Sequence, residues 1–533
     1  MALSEQSTAD VRSELGKPFE RLLEILGEVD DLGKAGAVLQ WDHQTYMPKG
    51  GAAGRAQILG TLARLSHQRF TSDEVGELLA QLAPALSKLD PSGFEASLIR
   101  VTQREYGRFK KLPTRLVEEQ ARVSSEAQAV WVEARQNQDF PRFQPYLEKL
   151  FALAREAAEH LGYQEDPYDA LLDLYEPGLR TSEVASLFAT LKARLVPLVN
   201  AITEAKQHRS PGGQAGKAGE AGEAGGDSLL RQHFDEAGQW ELGLRALRAM
   251  GFDFERGRQD RSAHPFTITL APGDIRITTR IVPDDFTSAL FSTMHEGGHA
   301  LYEQGIPPEL ARTPLGSAAS LGVHESQSRL WENVVGRSRH FWQYFLPQAQ
   351  EIFPAQLGGV TVDRIYRAVN RVERSFIRTE ADEVTYNLHV ILRFELELAV
   401  LHGELPVSDL PAAWDDKMQQ YLGIRPPNVS LGVLQDIHWS QGSIGYFPTY
   451  TLGNVLSVQF WQQALSEEPG ITDAIARGEL HVLKDWLNRR VHVHGAKFEP
   501  RDLVQRVTGR PLDPQPYLNY IETKYRELYG LGS

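Results

Sequence analysis

The apolar residues of this chain recur at three- and four-residue intervals along most of its length. That spacing places them on one face of an α-helix, so it predicts helices rather than strands. The pattern is clearest in residues 18–26, 143–161, 182–205, 363–398 and 517–529. The pattern predicts a mainly α-helical fold. Because it reaches both ends without a long Pro- and Ser-rich linker, we predict that residues 1–533 form a single domain, which could consist of two lobes.

Two segments depart from this pattern. Residues 211–226 contain seven Gly and four Ala in sixteen positions, which predicts a flexible loop inserted between helices. Residues 264–281 instead alternate apolar and polar side chains on either side of a Pro-Gly turn, which predicts a small β-hairpin. Alternation places Arg276 on one face of that hairpin, and Ile275 and Ile277 on the other.

The composition excludes several classes of site. The chain has no Cys, so a thiol nucleophile, a Cys-ligated metal and a disulfide framework are all excluded. With 56 basic and 70 acidic residues, its net charge of −14 disfavours nucleic acid as the main partner. It shows no basic region followed by an apolar run at its start and no uninterrupted apolar run of membrane-spanning length. We therefore expect a cytoplasmic protein without a membrane partner.

The strongest chemical signal is a pair of histidines, His295 and His299, with Glu296 between them, inside a predicted helix. Residues four apart lie on the same helix face, so the two imidazoles can converge on one metal ion. Glu296 lies beside them, where its carboxylate can take a proton from a metal-bound water. A helix that begins near Asp284 and Asp285 would carry all three.

A catalytic zinc site needs a third protein ligand and an open position. The next predicted helix offers Glu325, which lies 26 residues beyond His299. Glu303, one turn after His299, and Glu332 are rivals. Spacing does not choose among the three, and glutamates on helices more often form ordinary ion pairs.

Further motifs lie on either side of this pair. They are His264-Pro265-Phe266; Asp274, Arg276 and Thr278; His324-Glu325-Ser326-Gln327; Ile377, Arg378, Ala381 and Asp382; and Gly432, Gln435, Asp436, His438 and Trp439. Together with the histidine pair they resemble, in the same order, the motifs of the carboxypeptidase Taq family of metallo-carboxypeptidases. The resemblance runs almost end to end, from residues 41–48 to 524–529, and leaves out only the loop at 211–226.

The resemblance implies a helical fold with a deep groove, shared with neurolysin-like and angiotensin-converting-enzyme-like peptidases. It also implies a homodimer, one zinc or cobalt ion per chain, and Glu325 as the third metal ligand. Related peptidases stabilise the oxyanion with a His and a Tyr, a role for which His438 and Tyr446 are the candidates here. Tyr446 could equally be a packed aromatic residue.

Removing a C-terminal residue also requires a group that binds a free carboxylate, and the guanidinium fork of arginine suits this task. Arg378 and Arg425 are the candidates, although Arg378 could simply pair with Asp382 one turn later. His264 and Arg276 are expected to line the groove through the hairpin, or to be structural.

The sequence thus predicts an enzyme, a metal-dependent carboxypeptidase that acts on peptides with a free C-terminus. An oligopeptidase that cuts within short peptides on the same metal site is the first alternative. A non-catalytic peptide-binding protein is the second, and it is disfavoured because both histidines and both glutamates of the site are present.

Overall fold

A computed structural model describes residues 2–209 and 229–532, so the loop predicted at 211–226 lies outside the described residues. Helices account for most of the described chain, which confirms the predicted fold class. They are α1 (Ala2–Thr45), α2 (Ala52–Phe70), α3 (Asp73–Leu82), α4 (Phe94–Lys111), α5 (Thr114–Asn137), α6 (Phe140–Leu161), α7 (Pro167–Leu172), α8 (Thr181–Arg209), α9 (Glu236–Met250), α10 (Phe286–Gly305), α11 (Leu321–Arg329), α12 (Arg339–Ile352), α13 (Pro354–Leu357), α14 (Val362–Val369), α15 (Tyr386–Leu401), α16 (Leu410–Leu422), α17 (Pro448–Glu467), α18 (Ile471–Ala476), α19 (His481–Arg490), α20 (Pro500–Thr508) and α21 (Gln515–Tyr529). A π-helix, Leu330–Val335, continues α11.

The predicted hairpin is part of a three-stranded sheet. Its strands are β1 (Gly257–Arg261), β2 (Thr267–Ala271) and β3 (Asp274–Thr279), in the order β1-β3-β2. β2 and β3 pair antiparallel, as the alternation predicts, with Ile275 and Ile277 buried. β1, which the sequence did not predict, pairs parallel to β3. The sequence Gly257–Arg261 is too polar to show an apolar alternation, so no pattern marked it as a strand.

Buried apolar side chains form two separate clusters. The first contains residues of α1, α3, α10 and α12, and the second contains residues of α6, α8, α15 and α16. α17 contributes to both, since Leu456 and Phe460 pack in the first cluster and Leu452 and Val455 in the second. α17 therefore joins the two halves of the core. Whether the chain is one domain stays a prediction.

The apolar periodicity at residues 363–398 predicts one long helix, and this is wrong in its middle part. Two helices, α14 and α15, flank an irregular segment. Within it the Asp382 carboxylate accepts hydrogen bonds from the backbone N–H groups of Glu373, Val384 and Thr385. Side-chain bonds of this kind replace the helical backbone bonds, which an apolar pattern does not reveal.

One helix of the described residues, Thr181–His208, is long and apolar enough to cross a membrane by length and composition. The core helix of a soluble protein can have the same length and composition. Leu191, Leu195 and Val199 of this helix are buried in the second apolar cluster.

Candidate metal centre

Helix α10 carries the two candidate histidines. It begins at the predicted N-cap, where the Asp285 carboxylate accepts a hydrogen bond from the backbone N–H of Thr287 at 3.0 Å. Further along, His295 and His299 lie one turn apart on the same face, with ring centroids 5.0 Å apart. Burial, and then the nearby His324, lowers the pKa of His299 to about 3. Its imidazole is therefore neutral, which is the form that binds a metal.

Helix α11 brings Glu325 to this pair. Its Oε2 atom lies 3.3 Å from His299 Nε2 and 3.6 Å from His295 Nε2. One ligand atom from each of the three residues falls within 4.8 Å of the others, a group that could hold a metal ion. Two imidazole nitrogens and a carboxylate oxygen are a donor set that suits zinc.

The two rival glutamates, Glu332 and Glu303, are not part of this three-residue group. Glu332 Oε2 lies 2.8 Å from His295 Nδ1, on the side of that ring facing away from Glu325. Glu303 pairs with His324 Nε2 at 2.9 Å and accepts a hydrogen bond from Thr269. A carboxylate on the outer nitrogen of a histidine fixes the tautomer and orientation of its ring. Glu332 therefore presents His295 Nε2 to the centre, where Glu325 lies.

Arg329 balances the charge of Glu325. Its Nε donates to Glu325 Oε1 at 2.6 Å, and its guanidinium lies 4.2 Å from the Tyr386 ring centre. Although burial opposes ionisation, Arg329 and then His295 hold the pKa of the Glu325 carboxyl well below its usual range. Glu325 is thus an anion that keeps Oε2 close to both histidines.

Glu296 lies beside the cluster and is 7% exposed. The Thr267 hydroxyl of strand β2 lies 2.6 Å from Glu296 Oε2 and 3.0 Å from its backbone carbonyl oxygen. Burial raises the pKa of the Glu296 carboxyl. A raised pKa suits a group that must both accept and return a proton near neutral pH.

The glycine pair that follows Glu296 is explained by helix packing rather than by a ligand. A Cβ on Gly298 would lie 2.6 Å from the carbonyl oxygen of Gln327 and 2.7 Å from the Cα of Ser328. On Gly297 it would lie 2.7 Å from Leu247 Cδ2. Helix α11 therefore approaches α10 so closely that only glycine fits at position 298.

Gly298→Ala is expected to lower the melting temperature and to weaken metal binding. The new methyl group would press on the backbone of α11, and overpacking of this kind costs about 1–3 kcal/mol. Gly297→Ala is the matched control, because its new methyl group meets the ends of the Leu247 and Met250 side chains, which can move. Equal losses in melting temperature and metal affinity for the two variants would contradict this explanation.

His438 and Tyr446 lie at the two ends of residues 438–446, a short 3-10 helix (His438–Gln441) and the turns that follow it, here called the loop 438–446. His438 Nε2 lies 2.9 Å from the hydroxyl of Tyr450, and the rings of His438 and Tyr446 have centroids 5.3 Å apart. Burial, and then the charge of Arg378, lowers the pKa of His438 to about 3. Burial, and then the charge of Glu325, raises the pKa of Tyr446 to about 12. His438 is therefore neutral and Tyr446 keeps its proton at neutral pH.

Arg378 belongs to a buried ionic group and does not form the pair with Asp382 that was the alternative to its carboxylate-binding role. Its Nε and Nη2 donate to Asp436 Oδ1 at 3.1 and 2.9 Å, and its Nη1 donates to the Tyr386 hydroxyl at 2.8 Å. Arg393 binds the other oxygen of Asp436. The Arg378 guanidinium also lies 4.5 Å from the Tyr450 ring centre, which connects it to His438.

The remaining candidates lie apart from this group. Arg425 forms an ion pair with Asp416, and both side chains are more than half exposed. Arg276 pairs with Asp274 and lies 4.3 Å from the ring centre of the buried Trp41. His264 is exposed, in the segment that leads into β2.

A scan against protein-family models matches residues 21–525 to the carboxypeptidase Taq (M32) metallopeptidase family. The chain belongs to this family. A thermostable carboxypeptidase of Thermus thermophilus is 45% identical over 96% of this chain and 99% of its own length. Carboxypeptidase 1 of Bacillus subtilis is 39% identical over the same shares. The crystal structure of the M32 carboxypeptidase of Deinococcus radiodurans superposes with a TM-score of 0.90 at 43% identity, covering 96% of this chain and all of that one.

Membership confirms the predicted function. The chain is a metal-dependent carboxypeptidase, a hydrolase that acts on peptides and needs a divalent metal. Among the described residues, His295, His299 and Glu325 form a candidate site for such a metal.

The sequence did not predict Arg329 as a partner of Glu325, Thr267 as a partner of Glu296, or Glu332 as a partner of His295. A signal existed for Arg329 and Glu332. Arg329 and Glu332 follow Glu325 by four and seven residues, which places them on one helix face. Thr267 gave no such signal, because its contact with Glu296 depends on how β2 packs against α10.

Proposed function

We propose that His295, His299 and Glu325 hold one zinc or cobalt ion per chain and that Glu296 is the general base. The convergence of three ligand atoms within 4.8 Å carries this proposal. It is supported by the outer contacts, since Glu332 and Arg329 already orient His295 and Glu325. Such outer contacts are typical of functional metal sites.

When bound, the metal would acidify a water molecule and polarise the carbonyl group of the peptide. Glu296 would take the proton from the attacking water and later give it to the leaving amine. Its buried position next to Thr267 supports both steps, because burial favours the protonated form and the hydroxyl group stabilises the anion.

His438 and Tyr446 are proposed to stabilise the negative charge that develops on the carbonyl oxygen. Tyr446 keeps its proton and can donate through its hydroxyl group, while the neutral His438 can donate through one ring nitrogen. Donors that are already in place before the reaction need no reorganisation, which makes them effective.

Arg378 is the stronger candidate for binding the C-terminal carboxylate of the substrate. Three of its N–H groups hold Asp436 and Tyr386, so two of the five N–H groups of a guanidinium remain for a ligand. Arg425 is exposed and paired with Asp416, which makes it the weaker candidate. His264 and Arg276 are proposed to line the substrate groove that the likeness to the family implies.

A paired digestion tests the mode of cleavage. One peptide is offered as the free acid and as the C-terminal amide with zinc or cobalt present, and products are followed by mass. Stepwise loss of C-terminal residues from the free acid alone is expected. Internal cuts in both peptides would instead support the oligopeptidase alternative.

Arg378→Lys is expected to reduce the preference for free acid over amide, mainly through a higher KM for the free acid. Lysine keeps the positive charge next to Asp436 but lacks the two-pronged geometry. Arg425→Ala is the control, and its preference should remain that of the unaltered chain. If Arg425→Ala abolishes the preference and Arg378→Lys does not, the carboxylate site lies at Arg425.

Oligomeric state and location are also proposed on the likeness to the family: a cytoplasmic homodimer, forming one domain per chain, without a nucleic-acid or membrane partner. Light scattering on the eluting peak of a size-exclusion column tests the dimer. A mass of one chain would contradict it.

A further inference from the structure

Glu397 of α15 is a fully buried carboxylate that does not belong to the group formed by His295, His299 and Glu325. Its Oε2 accepts hydrogen bonds from the Tyr168 hydroxyl at 2.6 Å and from the Gly445 backbone N–H at 3.2 Å. Its Oε1 accepts one from the Trp439 indole N–H at 2.8 Å. Burial raises the pKa of Glu397 to about 7, although these donors favour the anion.

Two of the three donors lie at opposite ends of the loop 438–446. Trp439 directly follows His438, and Gly445 directly precedes Tyr446. One side chain therefore holds both ends of the loop whose terminal residues are proposed to act on the substrate. Its two oxygens bind different ends of the loop: Oε1 accepts from Trp439, and Oε2 accepts from Gly445.

The second end of the loop is also confined by packing. Gly445 has a φ of 92°, and a Cβ there would lie 2.9 Å from the backbone carbonyl carbon of Leu171. Tyr446 packs against Tyr175, with ring centroids 5.2 Å apart. The loop thus sits directly on α7 and the segment that follows it, and Glu397 supplies a polar attachment at this contact.

We infer that Glu397 is a positioning residue for peptide hydrolysis, which fixes His438 and Tyr446 by binding the two ends of their loop. This inference rests on the roles proposed above for His438 and Tyr446. Among the described residues, Glu397 makes no contact with His295, His299 or Glu325. Its effect on the reaction passes through the loop.

Glu397→Gln separates the positioning role from simple burial. An amide of the same size has one oxygen and one NH₂ group in place of the two carboxylate oxygens. If the NH₂ faces Trp439 it meets an indole donor, and if it faces Gly445 it meets a backbone donor. Either orientation leaves one end of the loop without its acceptor, whereas the Tyr168 hydroxyl can turn and accept.

The expected result for Glu397→Gln is a kcat lower by on the order of 10- to 100-fold, because small displacements of groups at the reaction centre are this costly. KM and metal content should stay near those of the unaltered chain. Backbone amides of the 438–446 loop should exchange faster with deuterium. Glu467→Gln is the matched control, since Glu467 also accepts a hydrogen bond from an indole, that of Trp486, at 2.8 Å. It should change neither kcat nor exchange in the loop.

Unchanged loop exchange in metal-loaded Glu397→Gln would overturn the inference, as would an equal loss of kcat in Glu467→Gln. Faster exchange with an unchanged kcat would overturn it as well. Tyr446→Phe then identifies the cause, because an unaltered kcat in that variant shows that the role proposed for Tyr446 has failed. If Glu397→Gln does not fold, Trp439→Phe removes one attachment and should show the same two changes.

Discussion

Glu296→Gln is expected to keep its metal and to lose activity by on the order of 10²- to 10⁴-fold, the usual contribution of a general base. Glutamine has nearly the same shape, and its amide oxygen can still accept the hydrogen bond from Thr267. It cannot take a proton from water. The measurement is kcat/KM on a free-acid peptide, with metal content determined on the same sample.

Glu303→Gln is a matched control for this variant. Glu303 lies on the same helix and also accepts a hydrogen bond from a threonine of β2, Thr269, at 3.0 Å. It is not among the residues whose ligand atoms converge. Its replacement should cost far less activity. Near-full turnover by metal-loaded Glu296→Gln would show that the base lies elsewhere.

The sequence could predict the histidine pair because its geometry is local. Residues four apart on a helix converge whatever the rest of the chain does, and the N-cap at Asp285 is likewise decided within a few residues. Which of Glu303, Glu325 and Glu332 approaches both histidines is not decided by the local sequence. It depends on the approach of α11 to α10 at Gly298, which places Glu325 at the histidines and turns Glu332 to the outer side of His295.

The predictions for the arginines illustrate the same limit. The i+4 spacing suggested Asp382 as the partner of Arg378, but residues 370–385 are not one helix, and Asp382 binds backbone N–H groups. Asp436, 58 residues away, is the partner instead. Glu397 carried no signal in the sequence, because its three donors come from α7 and from the two ends of a loop.

Glu325→Ala is expected to lose the metal and, with it, nearly all activity. Two histidines would remain, which is one ligand fewer than the three protein ligands that catalytic zinc sites use. The fold should persist, because Arg329 retains Glu332 at 3.2 Å and its contact with the Tyr386 ring. Metal content after dialysis against a weak chelator measures the loss.

Glu332→Gln is the graded comparison, because it removes only an outer partner of His295, and such changes typically cost about 10- to 100-fold in metal affinity. Glu325→Ala should exceed that loss. Melting curves give an independent readout: added zinc raises the melting temperature only of a folded state that binds it. The unaltered chain should respond strongly, Glu332→Gln less, and Glu325→Ala hardly at all. If Glu325→Ala keeps full metal and the zinc response, the third ligand is another residue. Glu332 would then be the first to test, since it already contacts His295.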